Sequence, residues 1–375
     1  MESVLGEIEK LRKGKLIIND PHNSNRYRVV CMENSGIRTA YYFTTPIYNQ
    51  KTLKLINPKF YFDSGTAHAV GSNADIIISD NIILKNTEGS CSIELEKKPT
   101  LVHSREVRCG DNVIIPTTNG VAMKYNMQSN PKISFIVNIG QSYLNIRANN
   151  KCFAFMKERF RPFIVFSCIG SMDSIGNVIA PAKLEYQKLA DKKYKIDIST
   201  TSPLAQYVFF EANLYENKLF QDTTVESMNP LSNNAFGSIG FIGNTTTYGE
   251  QWLYTRLDYS KITEIMDNRI KKAVLHIPKL NDNRIELGSY KFSARFCSFG
   301  SNWDNKIAGG SLVSNSLSSR GYQTIDLIPL IVEPRTRTIT RSEGLILKSK
   351  IKGSGFSVIT TGDSCFAPQI MEISY

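Results

Sequence analysis

Two spacings of apolar residues run along this chain, and they divide it unevenly. Val4/Leu5, Ile8 and Leu11 recur every three to four positions, the period of one helical face, and predict a short amphipathic helix over residues 2–13 that stops near Gly14. From Leu16 onward the period changes. Short aromatic or β-branched runs such as Arg26–Val30, Thr39–Phe43, Lys59–Phe62, Ile76–Ile78, Ser92–Glu96 and Val113–Ile115 alternate with turn text such as Asn34-Ser35-Gly36 and Asp63-Ser64-Gly65. The same grammar continues through Ile133–Val137, Tyr143–Ile146, Phe163–Phe166, Lys195–Ile198 and Tyr207–Phe210. Many short strands without intervening helical patterns of 10–15 residues predict antiparallel sandwiches and exclude a parallel α/β sheet.

The stretch from Asp222 to Gly249 is rich in Asn, Ser, Thr and Gly, and it reads as a linker or a long opening loop with a boundary near Phe236. The expected organisation is therefore a helix and lead-in at 1–24, a β-rich domain at 25–236 with room for two sub-domains, and a β-sandwich domain at 237–375. A chain of 375 residues is long enough for two sizeable cores.

In the last third, the strands Trp252–Asp258, Ile270–Ile277, Lys291–Phe296, Gln323–Leu327, Gly344–Lys348 and Gln369–Tyr375 follow one another with a loop at Trp303-Asp304. Six features carry a resemblance: Arg256-Leu257-Asp258 with its exit at Ser260 and Ile262, Ile270 to Leu275, Trp303-Asp304, the strand ending Ile325-Asp326-Leu327, Glu343 to Leu347, and Ala367 to Tyr375. In this order they resemble the DNRLRE-type carbohydrate-binding domain, a jelly-roll-like sandwich of bacterial surface and extracellular proteins. Leu257 stands where such domains more often have Phe, and the loop after Trp303 is rich in Gly and Ser. The resemblance covers about a third of the chain and implies a fold more firmly than a ligand, because function sits in sites grafted on folds.

Composition narrows the functions. Hydrophobic residues at 41% and charged residues at 21% are ordinary for a folded chain, which sets disorder aside. A net charge of +11 favours an acidic partner. The basic residues are Lys192, Lys193 and Lys195, and a looser set of Arg335, Arg337, Arg341, Lys348, Lys350 and Lys352; neither makes a compact run, and both read first as solvated strand faces. Seven cysteines are scattered with no C-x-x-C pair, which predicts packed, reduced thiols. The four histidines His22, His68, His103 and His276 are isolated, and no HExxH, Gly-x-Ser-x-Gly or P-loop occurs. Cys109-Gly110-Asp111 reads as a turn rather than a nucleophile, and no cofactor or metal is expected. Phe153 to Phe163 interleaves aromatics with basic groups, as single-strand nucleic-acid readers do, but alternation of that kind also describes any half-exposed strand.

Apolar runs such as Phe163–Phe166 are far too short for a bilayer span, and residues 1–15 lack a secretory apolar stretch. These features predict a non-catalytic structural component of a surface or extracellular assembly, such as a phage tail, a phage-tail-like particle or a spore coat. Such a protein is made in the cytoplasm without a signal peptide, ends in a particle or on a cell or spore surface, and contacts copies of itself and other assembly proteins. Its helix would suit docking or capping of its own domain, and its sheet edges should be covered by partners or loops. The alternative is a free carbohydrate-binding protein that holds an acidic polysaccharide. For ligand contact the candidates are Tyr290, Arg295, Trp303 and Tyr322, since sugar faces stack on aromatics and acidic groups need cations. Each of them also reads as ordinary packing.

Overall fold

The computed structural model describes residues 4–12, 18–19, 26–32, 36–49, 54–127, 131–200, 202–216, 220–257, 270–281, 285–292, 300–319, 321–331, 344–351, 353 and 355–375. The protein is mostly β, with several antiparallel sheets and a short N-terminal helix at Val4–Leu11. It divides into two compact units, and the division does not follow chain order. Residues 49–217 make the first unit, whereas Leu5–Tyr48 and Lys218–Tyr375 together make the second.

The first unit contains a nine-stranded and an eight-stranded antiparallel sheet. Alternation puts Ile76, Ile78, Ile82, Leu84, Phe135, Val137, Ile196 and Ile198 on one face, where they join Phe153, Phe155, Phe166 and Phe210 in a single apolar core. The segment from Phe153 to Phe163 thus supplies core, since Phe153, Phe155 and Phe163 are buried. Strand Ala182–Ala190 forms an edge of the eight-stranded sheet. Leu184 N–H donates to Asn150 there, while Lys183, Glu185, Lys188 and a register shift before Ala190 guard the remainder. Edge charge and a bulge disfavour pairing with other chains.

The second unit is built on a continuous antiparallel path of strands. Strand Leu312–Ser319 turns the corner between two layers: Leu312–Ser316 pairs with Leu287–Tyr290, and Leu317–Ser319 pairs with Tyr322–Thr324. At the other side a bridge between Lys279 and Ile359 links the layers again. Leu253, Leu287, Leu345 and Leu347 face Val30, Ala40, Tyr42, Leu275, Ile325, Met371 and Ile373 across the core.

Two expectations about organisation change. Strands Arg28–Met32 and Arg38–Phe43, read as the start of the first domain, belong to the second unit, because Arg38–Phe43 pairs along Ile370–Ser374 with Thr39 opposite Ser374 and Phe43 opposite Ile370. The stretch read as a linker is largely structured: Phe220–Glu226 and Ile239–Thr245 are strands. Several of its polar groups are hydrogen-bonded, while Asn244, Thr246 and Thr247 stay exposed. Asn234 donates to Thr224 O at 2.9 Å, Asn229 to Glu226 at 3.0 Å, and Thr361 to Gly237 O at 2.6 Å. Buried backbone groups need partners, and Asn and Thr side chains supply them here.

The helix caps its own unit. Ile8 is fully buried, the Arg12 guanidinium donates to Tyr41 Oη at 3.4 Å, and Tyr322 Oη donates to Glu7 Oε2 at 2.7 Å.

The six described cysteines are buried and free, and Cys297 lies outside the described residues. Burial pushes the thiols of Cys31 and Cys109 up to about 11 and that of Cys168 to about 12, and it raises Cys91 as well. Thiolate is the reactive form, so alkylation of the native protein with iodoacetamide at pH 8 should leave these cysteines largely unmodified until denaturant is added. Mass spectrometry of the peptides checks this, and rapid native labelling of Cys109 would contradict it.

A candidate ligand platform on the second unit

The outer face of the second unit carries a small aromatic cluster assembled from three neighbouring strands. In Gly249–Leu257, alternation sends Leu253 inward and Trp252 and Tyr254 outward. Register then places Tyr254 opposite Ile346 and Ile346 opposite Tyr290, while Lys348 lies opposite Gly288. The absence of a side chain at Gly288 matters, because a Cβ there would fall 2.7–2.9 Å from the ring atoms of Tyr290. Tyr290 therefore lies back across Gly288, towards Lys348.

A loop from residue 300 to 310 covers part of this face. Asn302 and Asn305 accept one another's backbone N–H at 3.1 and 2.8 Å, Trp303 N–H donates to Pro230 O at 2.9 Å, and Tyr254 Oη donates to Ile307 O at 2.6 Å. Trp303 is thereby held 5.3 Å from Trp252, centroid to centroid, at an interplanar angle of 58°.

Two ammonium groups complete the platform. Lys348 Nζ stands 4.6 Å from the Trp252 ring and 4.5 Å from the Tyr290 ring. Lys306 Nζ stands 4.2 Å from Trp303 and 5.7 Å from Trp252, and donates to Trp303 O at 3.2 Å. Among the described residues neither has a carboxylate partner within ion-pair distance. Glu250 accepts from Trp252 Nε1 at 2.7 Å, which fixes the indole plane. Tyr290, Trp303, Trp252 and both lysines are half-buried, so each keeps part of its surface open to solvent. Chemically, the arrangement offers apolar ring surface to the C–H face of a sugar and two cations to an attached acidic group.

The structure brings together only some of the residues selected from sequence. Tyr290 and Trp303 share the platform. Tyr322 does not: its strand, Tyr322–Asp326, pairs with Lys272–Pro278, and its ring packs edge-on to His276 at 6.1 Å while its hydroxyl holds Glu7. Arg295 lies outside the described residues, as do Arg335, Arg337, Arg341 and Lys352. Trp252, Lys306 and Lys348 were not selected. The outward positions of Trp252 and Lys348 on adjacent alternating strands were the signal available for two of them, and the loop geometry that brings in Lys306 left none.

Other groups are accounted for locally. Lys193 pairs with Glu94 at 3.2 Å, while Lys195 and Lys132 pair with Asp197 at 3.4 and 2.9 Å. His68 stacks on Tyr61 at 5.2 Å, and His276 Nε2 lies 2.9 Å from Glu372 Oε2; His22 lies outside the described residues. Cys109 to Asn112 is a hairpin turn with Gly110 at φ 65°. Among the described residues no group of three or more His, Cys, Asp or Glu side chains is placed to hold a metal, and no helix is long and apolar enough to cross a membrane.

These features define a class: an all-β protein of two compact units, with an aromatic and cationic platform on one of them. No family model matches this chain, and no curated protein matches it in sequence. The DNRLRE-type resemblance therefore rests on the six segments quoted above.

Proposed function

We propose that this protein is a non-catalytic attachment component of a surface or extracellular assembly, such as a phage tail, a phage-tail-like particle or a spore coat, and that its second unit grips an acidic glycan. The Trp252, Tyr290 and Trp303 rings with Lys306 and Lys348 carry this reading. A sugar ring set against Trp252 would present a carboxylate to two ammonium groups that have no ion-pair partner among the described residues. Charge-assisted bonds of this kind are about twice as strong as neutral ones. The alternative, a free carbohydrate-binding protein, is favoured by one observation: the platform is complete within a single chain.

Affinity electrophoresis through a gel containing a uronic-acid polymer, with a neutral polymer as control, tests the platform. Trp252→Ala should weaken binding at least tenfold, a loss of about 1.4 kcal/mol, and Lys348→Gln should weaken acidic but not neutral binding. Normal retardation of both folded variants would sink the reading. Size-exclusion chromatography separates assembly component from free binder, since the first requires a defined oligomer or particle.

A further inference from the structure

Charges of both signs stand around Trp252. Alternation along Gly249–Leu257 puts Glu250 on the same face of the strand as Trp252. Glu250 N–H donates to Ser227 Oγ at 2.9 Å, and Ser227 N–H donates to Glu250 O at 3.0 Å, so the backbone that carries this carboxylate is held from both directions. Its Oε1 accepts from Trp252 Nε1 at 2.7 Å and therefore lies at the edge of the indole. Lys348 and Lys306 stand against the ring itself, with Nζ 4.6 and 5.7 Å from the Trp252 centroid. Glu250 is exposed, and among the described residues it pairs with neither lysine nor with any other cation. An ionised carboxylate offers about four lone-pair sites, of which the indole takes one. Acceptor capacity is left over beside the ring.

The lysines and Glu250 make opposite demands on a sugar chain laid against Trp252. An acidic group is drawn to the ammonium groups, whereas an acidic group brought to the Nε1 edge of the indole meets Glu250 and is repelled. A polymer with an acid on every sugar gains at the first position and loses at the second. A polymer in which an acidic sugar is followed by an amino sugar gains at both, because a ligand ammonium donates to the carboxylate in a charge-assisted bond. Juxtaposed like charges are a general means of rejecting wrong partners.

We infer, resting on the glycan reading above, that the platform selects a mixed-charge glycan in which an acidic sugar is joined to an amino sugar with a free ammonium group, and that Glu250 determines this specificity. Lys306 and Lys348 take the acid, and Glu250 takes the ammonium. Glu250 also positions the indole, and Glu250→Gln separates the two roles: an amide oxygen still accepts from Trp252 Nε1, but the charge is gone.

The test is affinity electrophoresis of the full chain through hyaluronan, whose uronic acid alternates with an N-acetylated sugar, and through the same polymer after N-deacetylation. Deacetylation places an ammonium beside each carboxylate and lowers the net negative charge of the polymer. For a chain of net charge +11, attraction by overall charge alone would then weaken. The expected result has the opposite sign: in mildly acidic buffer, where a sugar amine is protonated, the deacetylated polymer binds about tenfold tighter, a gain of about 1.4 kcal/mol. Glu250→Gln should collapse that preference by binding hyaluronan more tightly and the deacetylated polymer less tightly. Glu250→Ala, which also releases the indole, should weaken binding of both. Glu250 is exposed, so an unchanged thermal transition serves as the folding control. Equal or weaker wild-type binding of the deacetylated polymer, an undiminished preference in Glu250→Gln, or no retardation by either polymer would overturn the inference. If hyaluronan binding then still falls with Trp252→Ala, the glycan reading stands without it; wild-type binding of both polymers by Trp252→Ala would bring down both.

Discussion

A chain that begins at Asn49 is expected to keep its first unit folded and to lose the second. The deletion removes Arg28–Met32 and Arg38–Phe43, and with them the pairing partner of Ile370–Ser374. It also removes Val30, Ala40, Tyr41, Tyr42 and Phe43, all 0–1% exposed. Burial of a large side chain contributes roughly 1.5–3 kcal/mol, so the loss is of order 10 kcal/mol, comparable with the whole stability of a domain. The protein contains its own reporter for the outcome. Both tryptophans, Trp252 and Trp303, lie in the second unit. Their emission should shift to the red in the shortened chain, while circular dichroism retains the β signal of residues 49–217. A fragment of residues 237–375, cut at the boundary expected from sequence, should fail in the same way, because it also lacks Phe220–Glu226. Native emission and a cooperative melt from either shortened chain would refute the interleaved organisation.

The second large effect is expected at Glu372. Its carboxylate is 7% exposed as a residue and takes hydrogen bonds from Lys272 Nζ at 2.8 Å and from His276 Nε2 at 2.9 Å. Burial alone would raise its pKa, but the bonds from His276 and Lys272 outweigh it and hold the carboxyl below the ordinary value. Removing one partner of a buried pair costs about 3–5 kcal/mol, and the half-exposed Lys272 ammonium places this case near 3. Glu372→Ala should lower the transition of the second unit by about 6–12 °C in scanning calorimetry at pH 7. The sign of the pH dependence follows from the depressed pKa. The contribution is complete above the unfolded-state value of about 4.3 and disappears as pH falls through the lower folded-state value. Glu372→Gln should therefore be less stable than wild type at pH 7, and the difference should narrow below about pH 4. A gap that widened on acidification would contradict the assigned direction.

The helix shows why a local pattern and its role are different questions. Val4/Leu5, Ile8 and Leu11 forecast an amphipathic element, and periodicity identifies the apolar face of such an element but not the surface that receives it. Docking elsewhere and capping the protein's own domain were equally compatible with the pattern. Tyr322 and Tyr41, from opposite ends of the chain, provide the contacts that decide it. Tyr322 consequently serves the helix, and its place among ligand candidates was an accident of residue type.

Alternation along the chain determined that this protein is an antiparallel β structure, because a period of two is a local consequence of strand geometry and needs no knowledge of the neighbour. The scatter of the cysteines without a C-x-x-C pair likewise predicted packed thiols, and the six described ones are buried. Tertiary structure alone decided which strands meet. Pairing of Arg38–Phe43 with Ile370–Ser374 spans nearly the full chain, and backbone hydrogen bonds in a sheet are the same whichever sequence makes them. For that reason the domain division, the burial of the Asn- and Thr-rich stretch, and the meeting of Trp252, Lys306 and Lys348 around Tyr290 and Trp303 emerge only when register and loop closure are fixed.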